Sequence, residues 1–143
     1  MMKKLVLLSV FTTMILVYSY AQTTNTQTKK PQIVFAEKSV DFGNVKEGTH
    51  PEITFKFFNA GQAPLVLKNV RPSCGCTVPK WPRNPIMPGD SSTITATFNS
   101  AGYANRNVHK SITVTTNVPQ PNGNDEVIIL FFKGFVQPKD KPE

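Results

Sequence analysis

Apolar and polar residues alternate with a period of two along most of this chain. Ile53, Phe55 and Phe57 are separated by single polar residues, and the same alternation recurs within residues 92–99 and 108–115. This period places the apolar side chains on one face of a β-strand and the polar ones on the other. No segment offers a convincing amphipathic helix, so the pattern predicts an all-β protein.

Turn signals rich in Gly, Pro and Asn separate the alternating runs and divide the chain into about seven strands. The predicted strands comprise residues 33–35 together with 40–42, then 52–59, 65–70, a short strand after Cys76, 92–99, 108–115 and 126–136. Short strands at this spacing are typical of an antiparallel β-sandwich of the immunoglobulin-like type. A closed β-barrel is the alternative architecture.

The last predicted strand is apolar at every position from residue 127 to residue 132. Lys133 has the same parity as Val127, Ile129 and Phe131, so we expect those three side chains to point away from the core. The residues of opposite parity should form the inward-facing set: Ile128, Leu130, Phe132 and Val136. We expect a leader or a loop to cover the outward stripe. The alternative is a partner surface, used by strand addition or by face-to-face docking.

The first 21 residues have the organisation of a secretory signal peptide. Lys3 and Lys4 precede an apolar stretch over residues 5–17, and small residues follow at Ser19 and Ala21. The apolar stretch is shorter than the ~20 residues that span a bilayer, so an uncleaved anchor is the less favoured alternative. We predict an exported protein, periplasmic or extracellular, with no membrane span after cleavage. We further expect a flexible leader at 22–31, one domain at 32–136 and a disordered tail at 137–143.

The charge of the chain narrows the choice of partner. Lys and Arg number 16 against 9 Asp and Glu, for a formal net charge of +7, but they are scattered rather than clustered. A nucleic-acid partner is therefore not predicted. A hydrophobic content of 39% allows a packed core, and two cysteines in 143 residues exclude a disulfide-dense miniprotein. An envelope protein or a glycan is the predicted kind of partner, and the oligomeric state is left open.

Cys74 and Cys76, separated by Gly75, form the one chemically reactive motif of the sequence. A local disulfide is the first interpretation, because an exported protein meets an oxidising environment and glycine permits the necessary turn. A redox-active dithiol is the second, although no run of cations adjoins the pair to stabilise a thiolate. The pair is therefore a disulfide or redox candidate.

Metal binding by the cysteine pair is the third interpretation. Two thiolates suit a soft ion such as Cu(I), whereas a structural zinc needs two further ligands. His50 and His109 are the only histidines, and Met87 is a further soft donor, but histidines in such positions are more often surface residues. We predict no metal site and no cofactor.

Trp81 follows the cysteine motif and lies among four prolines, at positions 79, 82, 85 and 88. We favour a role as a plug over the open end of the sandwich; the alternative is an exposed aromatic anchor for a ligand. The sequence contains no nucleophile elbow, no Gly-rich phosphate loop and no paired-histidine metal helix. We therefore predict that the protein is not an enzyme.

Several short motifs occur in an order that resembles one secreted bacterial family. They are Val-Asp-Phe-Gly at 40–43, Phe-Lys-Phe-Phe-Asn-Ala-Gly at 55–61, Ser-Cys-Gly-Cys-Thr at 73–77 and Pro-Gly at 88–89. The chain resembles domain of unknown function 1573 over about residues 40–136. The resemblance implies export and an immunoglobulin-like fold of the hydin and major-sperm-protein kind, more distantly that of pilus chaperones. It implies no activity, so the cysteine pair carries over only as a shared motif of unknown role.

These observations predict an exported binding or structural module of the cell envelope. The candidate site has two parts, the cysteine pair and a partner surface made of Trp81, Val127, Ile129 and Phe131. The alternative function is a periplasmic thiol–disulfide or copper-handling protein that uses the cysteine pair.

Overall fold

The computed structural model describes residues 29–140 and shows eight β-strands within them. In chain order they are β1 (Ile33–Phe35), β2 (Ser39–Lys46), β3 (Glu52–Asn59), β4 (Leu67–Pro72), β5 (Thr77–Lys80), β6 (Ser91–Phe98), β7 (Arg106–Pro119) and β8 (Asp125–Gln137). The predicted signal peptide, most of the predicted leader and the last three residues of the tail lie outside the described residues.

The strands form two separate four-stranded sheets, which confirms an immunoglobulin-like β-sandwich. Sheet A has the order β1-β3-β6-β5, and sheet B has the order β2-β8-β7-β4. All neighbouring strands are antiparallel except β2 and β8, which run parallel, so sheet B is mixed rather than purely antiparallel. Two separate sheets also exclude the closed barrel.

The strand count differs from the prediction because the first predicted strand is two strands. β1 pairs with β3 in sheet A, whereas β2 pairs with β8 in sheet B. The exposed segment at residues 36–38 carries the chain across from one sheet to the other.

The core lies between the two sheets and follows the predicted alternation. In β3 every second residue is buried, and β6, β7 and β8 show the same pattern over their central parts. Phe98 of sheet A and Phe132 of sheet B meet across the interior with ring centroids 5.9 Å apart. Each such fully buried aromatic side chain contributes roughly 1.5–3 kcal/mol to folding. All four predicted inward residues of β8 are at most 8% exposed, which confirms the parity of that strand.

Asn59 is a buried polar residue that organises one end of the sandwich. Its side-chain amide donates to the carbonyls of Ala63 and Ile86 at 2.8 and 2.9 Å, and its Oδ1 accepts from the N–H of Gly61 at 3.0 Å and of Gln32 at 3.3 Å. A fully buried amide needs such partners, because an unsatisfied buried polar group costs about 1–3 kcal/mol. This one side chain therefore joins the segment before β1, the loop after β3 and the loop before β6.

The packed domain begins slightly earlier than residue 32. Pro31 is buried, and the carbonyl of Lys30 accepts a hydrogen bond from the N–H of Gln62 at 2.9 Å. Gly61 makes this approach close, because a Cβ atom there would lie 2.4 Å from the carbonyl oxygen of Lys30. Lys30 and Pro31 therefore pack against the loop that contains Gly61 and Gln62.

Candidate functional site

The apolar stripe, Val127, Ile129 and Phe131, lies on the outer face of sheet B. Their exposed fractions are 58%, 49% and 36%. Within residues 29–140 no loop covers the stripe, whereas most of the predicted leader, residues 22–28, lies outside the described residues, so its covering role stays a prediction. Contiguous exposed apolar side chains on one face are a feature of interaction surfaces, whereas scattered ones are ordinary.

Hydroxyl-bearing residues of β7 flank the stripe along its length. Strand pairing places Thr115 opposite Val127, Thr113 opposite Ile129 and Ser111 opposite Phe131. The result is a flat surface with an apolar row on β8 and a row of short, weakly polar side chains beside it. Such a surface can be desolvated at low cost, because it carries no charge that must lose its water.

Charged residues lie only around the margins of the apolar stripe. Arg71 of edge strand β4 pairs with Thr113, one strand further from the stripe, and no described carboxylate forms an ion pair with it. Lys133 follows Phe131 at the next outward position of β8. The ring of His109 stacks on Phe131, with centroids 5.4 Å apart and planes inclined by 15°.

A polar cleft continues the outer face of sheet B beyond Phe131. It has a volume of about 410 Å³. Its polar side chains are those of Asp41, Asn44, Asn107, His109 and Lys133, and Val108 and Phe135 supply apolar surface beside them. A β-bulge interrupts β2 between Asp41 and Asn44, two of the lining residues, and bulges of this kind re-aim side chains beside functional sites. No local sequence pattern reveals this cleft, because its residues come from β2, β7 and β8 and meet only through the register of those strands.

The edges of both sheets are poorly suited to strand addition. In sheet A, β1 has only three residues and β5 contains Pro79, which lacks an N–H. In sheet B, β4 ends at Pro72, and β2 is interrupted by its bulge. Short strands, prolines and bulges are the usual protection of sheet edges. Of the two docking modes considered for the stripe, face-to-face contact fits this molecule better.

Cys74 and Cys76 form a disulfide in the turn that connects sheet B to sheet A. Their Cα atoms are 5.3 Å apart, within the usual range for a bridge. The turn is held on both sides: Ser73 N–H donates to the Ser111 carbonyl of sheet B at 2.9 Å, and Asn99 N–H donates to the Cys76 carbonyl at 2.8 Å. The disulfide therefore closes a crossover that hydrogen bonds already fix.

The side chains in hydrogen-bond contact with the bridge are neutral, and one described cation, Lys110, lies over the ring of Tyr103 at 5.3 Å. Thr77 Oγ1 lies 3.7 Å from the sulfur of Cys74, and the Tyr103 hydroxyl donates to the sulfur of Cys76 at 3.6 Å. Activated thiolates are found beside cations or helix N-termini, and the described residues place neither in hydrogen-bond contact with these sulfur atoms. Residues 29–140 also contain no group of three or more His, Cys, Asp or Glu side chains that could hold a metal ion. The redox and copper alternative has no support from this geometry.

Trp81 is packed into the end of the sandwich. Its ring is partly buried against the core, and the Arg83 guanidinium lies over it, 3.7 Å from the ring centroid. The indole N–H is buried and has no hydrogen-bond partner among the described residues. The core therefore covers one side of the ring and Arg83 the other; the plug role stays a prediction, and Trp81 follows β5 of sheet A, apart from the stripe on sheet B.

The two sheets and their order define an immunoglobulin-like β-sandwich domain. Within that class, the chain belongs to the family described as protein of unknown function (DUF1573), whose pattern matches residues 33–136. No curated protein matches the chain. In residues 29–140 no helix is long and apolar enough to cross a membrane.

Solved structures with similar folds come from diverse sources. The PapD-like domain 7 of human CEP192 is 11% identical with a TM-score of 0.60, covering 85% of this chain and 97% of that one. A Porphyromonas gingivalis protein of unknown function is 16% identical with a TM-score of 0.60, covering 80% of this chain and 51% of that one. The E. coli chaperone DraB is 15% identical with a TM-score of 0.53, covering 79% and 58% respectively. At these identities the likeness concerns the fold alone.

Proposed function

We propose that this protein is an exported, non-catalytic module of the cell envelope that binds a protein partner through the apolar stripe. The observation that carries the proposal is the exposure of three adjacent apolar side chains, Val127, Ile129 and Phe131, on one flat sheet face. Burying such a stripe gains about 25 cal/mol for each Å² of apolar surface removed from water. The hydroxyl row beside it adds no charge that would oppose this gain.

A protein fits the stripe better than a glycan does. Two of the three stripe residues are aliphatic, and the neighbouring Thr113 and Thr115 are half-buried on the sheet. A sugar needs a dense set of hydrogen-bonding groups to replace its water, whereas an apolar protein surface needs mainly shape and area. Face-to-face contact is the proposed docking mode, because the sheet edges are protected by Pro72, Pro79 and the β2 bulge.

The location in the envelope is supported by the pattern of residues 1–21. Lys3 and Lys4, the apolar stretch over 5–17 and the small residues at Ser19 and Ala21 have the order that signal peptidases process. The disulfide between Cys74 and Cys76 suits an oxidising compartment. Both features agree with export to the periplasm or beyond.

The test is site-specific photo-crosslinking in intact cells of the source organism. A photo-reactive amino acid replaces Val127 or Phe131 in two variants, and crosslinked products are identified by mass spectrometry. We expect both positions to give the same protein adduct, because both side chains lie on one face. The adduct should disappear when Ile129, between them, is changed to Lys.

Val78 provides a matched control for this experiment. It is a valine with 60% exposure, close to the 58% of Val127, but it lies on the outer face of sheet A. Crosslinking at position 78 should not give the adduct. Equal adducts from positions 78 and 127, or adducts only to glycan, would contradict the proposal. Cell fractionation of the same samples tests export, and an intact precursor in the cytosol would contradict it.

A further inference from the structure

The polar cleft lies next to the apolar stripe and shares one side chain with its margin. Two rows of paired residues from β7, β8 and β2 line it: His109, Lys133 and Asp41, then Asn107, Phe135 and Asn44. His109 stacks on Phe131, so the stripe passes into the cleft without a break. A partner that covers Phe131 therefore brings its neighbouring side chain to the mouth of the cleft.

Lys133 is the cation of this cleft, and its charge is only loosely paired. Its Nζ lies 4.0 Å from Oδ2 of Asp41, at the outer limit of an ion pair, and both side chains are 57% exposed. The other oxygen of Asp41 accepts a hydrogen bond from the N–H of Gly43 at 2.8 Å, inside the bulge. Exposed pairs of this geometry contribute little, so Lys133 keeps donors free for a second acceptor.

The cleft contains several hydrogen-bond donors and a single carboxylate. Lys133 supplies three N–H groups, Asn44 and Asn107 supply amide donors, and His109 supplies a ring N–H. Asp41 is the one carboxylate of the lining; the N–H of Gly43 engages its Oδ1, while its Oδ2 faces Lys133 from 4.0 Å. A carboxylate is the ligand group that such a set recognises most strongly, because hydrogen bonds to an ionised acceptor are roughly twice as strong as neutral ones.

We propose that the cleft receives an acidic side chain of the docked protein, an aspartate or a glutamate next to the apolar residue that covers Phe131. This inference rests on the proposed function and specifies the chemistry of the partner. The apolar stripe supplies the contact area, and Lys133 supplies selectivity for an acidic neighbour. The partner surface is therefore apolar with a carboxylate at one end.

Two short peptides test the inference without the partner in hand. Acetyl-Phe-Asp-amide and acetyl-Phe-Asn-amide differ only in the ionised group, and each is titrated into the isotope-labelled protein while amide chemical shifts are recorded. We expect the Asp peptide to bind about 5- to 10-fold more tightly than the Asn peptide, the effect of one charge-assisted hydrogen bond. The largest shifts should fall at Lys133, His109 and Asn107.

Two variants make the titration decisive. Lys133→Ala should abolish the preference for the Asp peptide, whereas Lys56→Ala, which removes an exposed lysine from sheet A, should preserve it. Equal or undetectable binding of the two peptides, or a preference that survives Lys133→Ala, would overturn the inference. The crosslinking experiment at Val127 tests the docking function separately. A protein adduct at Val127 together with equal binding of the two peptides would contradict the acidic side chain and would still support docking at the stripe.

Discussion

The outer faces of the two sheets differ in the arrangement of their apolar residues. Sheet A exposes Phe58 and Val78 to similar extents as the stripe residues, at 40% and 60%. Strand register keeps these two residues apart. Val78 and Glu52 lie on opposite sides of Thr97 in β6, and Phe58 is six residues beyond Glu52 along β3, which places it about 20 Å from Glu52. Sheet B instead places Val127, Ile129 and Phe131 in one row, each about 7 Å from the next.

The residues between the apolar ones also differ between the faces. On sheet A, charged and hydroxyl side chains surround Phe58 and Val78: Glu52, Thr54, Lys56, Lys80, Thr93, Thr95 and Thr97. On sheet B the charges lie at the margins: Arg71, Lys133 and Asp41, together with the Lys68–Asp125 ion pair at the Val127 end. The number of exposed apolar residues is therefore less informative than their contiguity. Sheet A exposes two separated apolar residues, with a hollow of about 340 Å³ around Phe58, whereas sheet B exposes a contiguous apolar row that another molecule can cover.

The largest expected effect concerns the inner and outer sides of β8. Leu130→Ala should lower the free energy of unfolding by roughly 2–5 kcal/mol, because the fully buried side chain leaves a cavity. Ile129→Ala, one residue away but half-exposed, should cost far less, within about 1 kcal/mol. Urea denaturation of both variants measures the difference. Equal losses would mean that the stripe belongs to the core and that the two faces of β8 are not distinct.

Removing the cysteine pair should have an intermediate effect on the free energy of unfolding and should leave the outer faces of both sheets unchanged. The Cys74→Ser, Cys76→Ser double variant should fold and lose at most about 1–2 kcal/mol, because a three-residue loop restricts the unfolded chain only slightly. In this variant the turn between β4 and β5 should keep its two backbone hydrogen bonds, from the Ser73 N–H to the Ser111 carbonyl and from the Asn99 N–H to the carbonyl of residue 76. Thermal unfolding followed by circular dichroism provides the measurement. Failure of the double variant to fold would mean that the disulfide is essential to the structure, contrary to this prediction.

The smallest expected effect is that of placing a charge on either outer face. Ile129→Lys and Val78→Lys should each change the free energy of unfolding by no more than about 0.5 kcal/mol, because both side chains are exposed. Denaturant midpoints of the two variants, measured side by side, test this equality. A large loss for Ile129→Lys alone would show that part of the chain covers the stripe.

The sequence predicts the sandwich fold and which side chains of β8 face the core, because both depend on local patterns. Alternation in residues 52–59 and 92–99 fixes which side of each strand is buried, and the position of Lys133 sets the parity of β8. The division of the first predicted strand into β1 and β2 was missed, because three residues are enough for the chain to change sheets. No local pattern distinguishes that change from a bend.

Other features depend on residues that are distant in sequence. Asn59 reads as a turn residue beside Gly61, but it is a buried hub because Gln32 and Ile86 arrive from other parts of the chain. The polar cleft likewise requires the register of three strands, which brings Asp41, His109 and Lys133 into one row. Spacing alone could not reveal either arrangement.

The most direct test of the docking face is the affinity for the crosslinked partner once it is purified. Isothermal titration of the unaltered protein, Ile129→Lys and Val78→Lys gives three dissociation constants under one set of conditions. We predict that Ile129→Lys weakens binding by about 100-fold, because it places an unpaired ammonium within a desolvated apolar contact. Val78→Lys should leave the constant unchanged. Equal constants for all three proteins would contradict the claim that the outer face of sheet B is the docking surface.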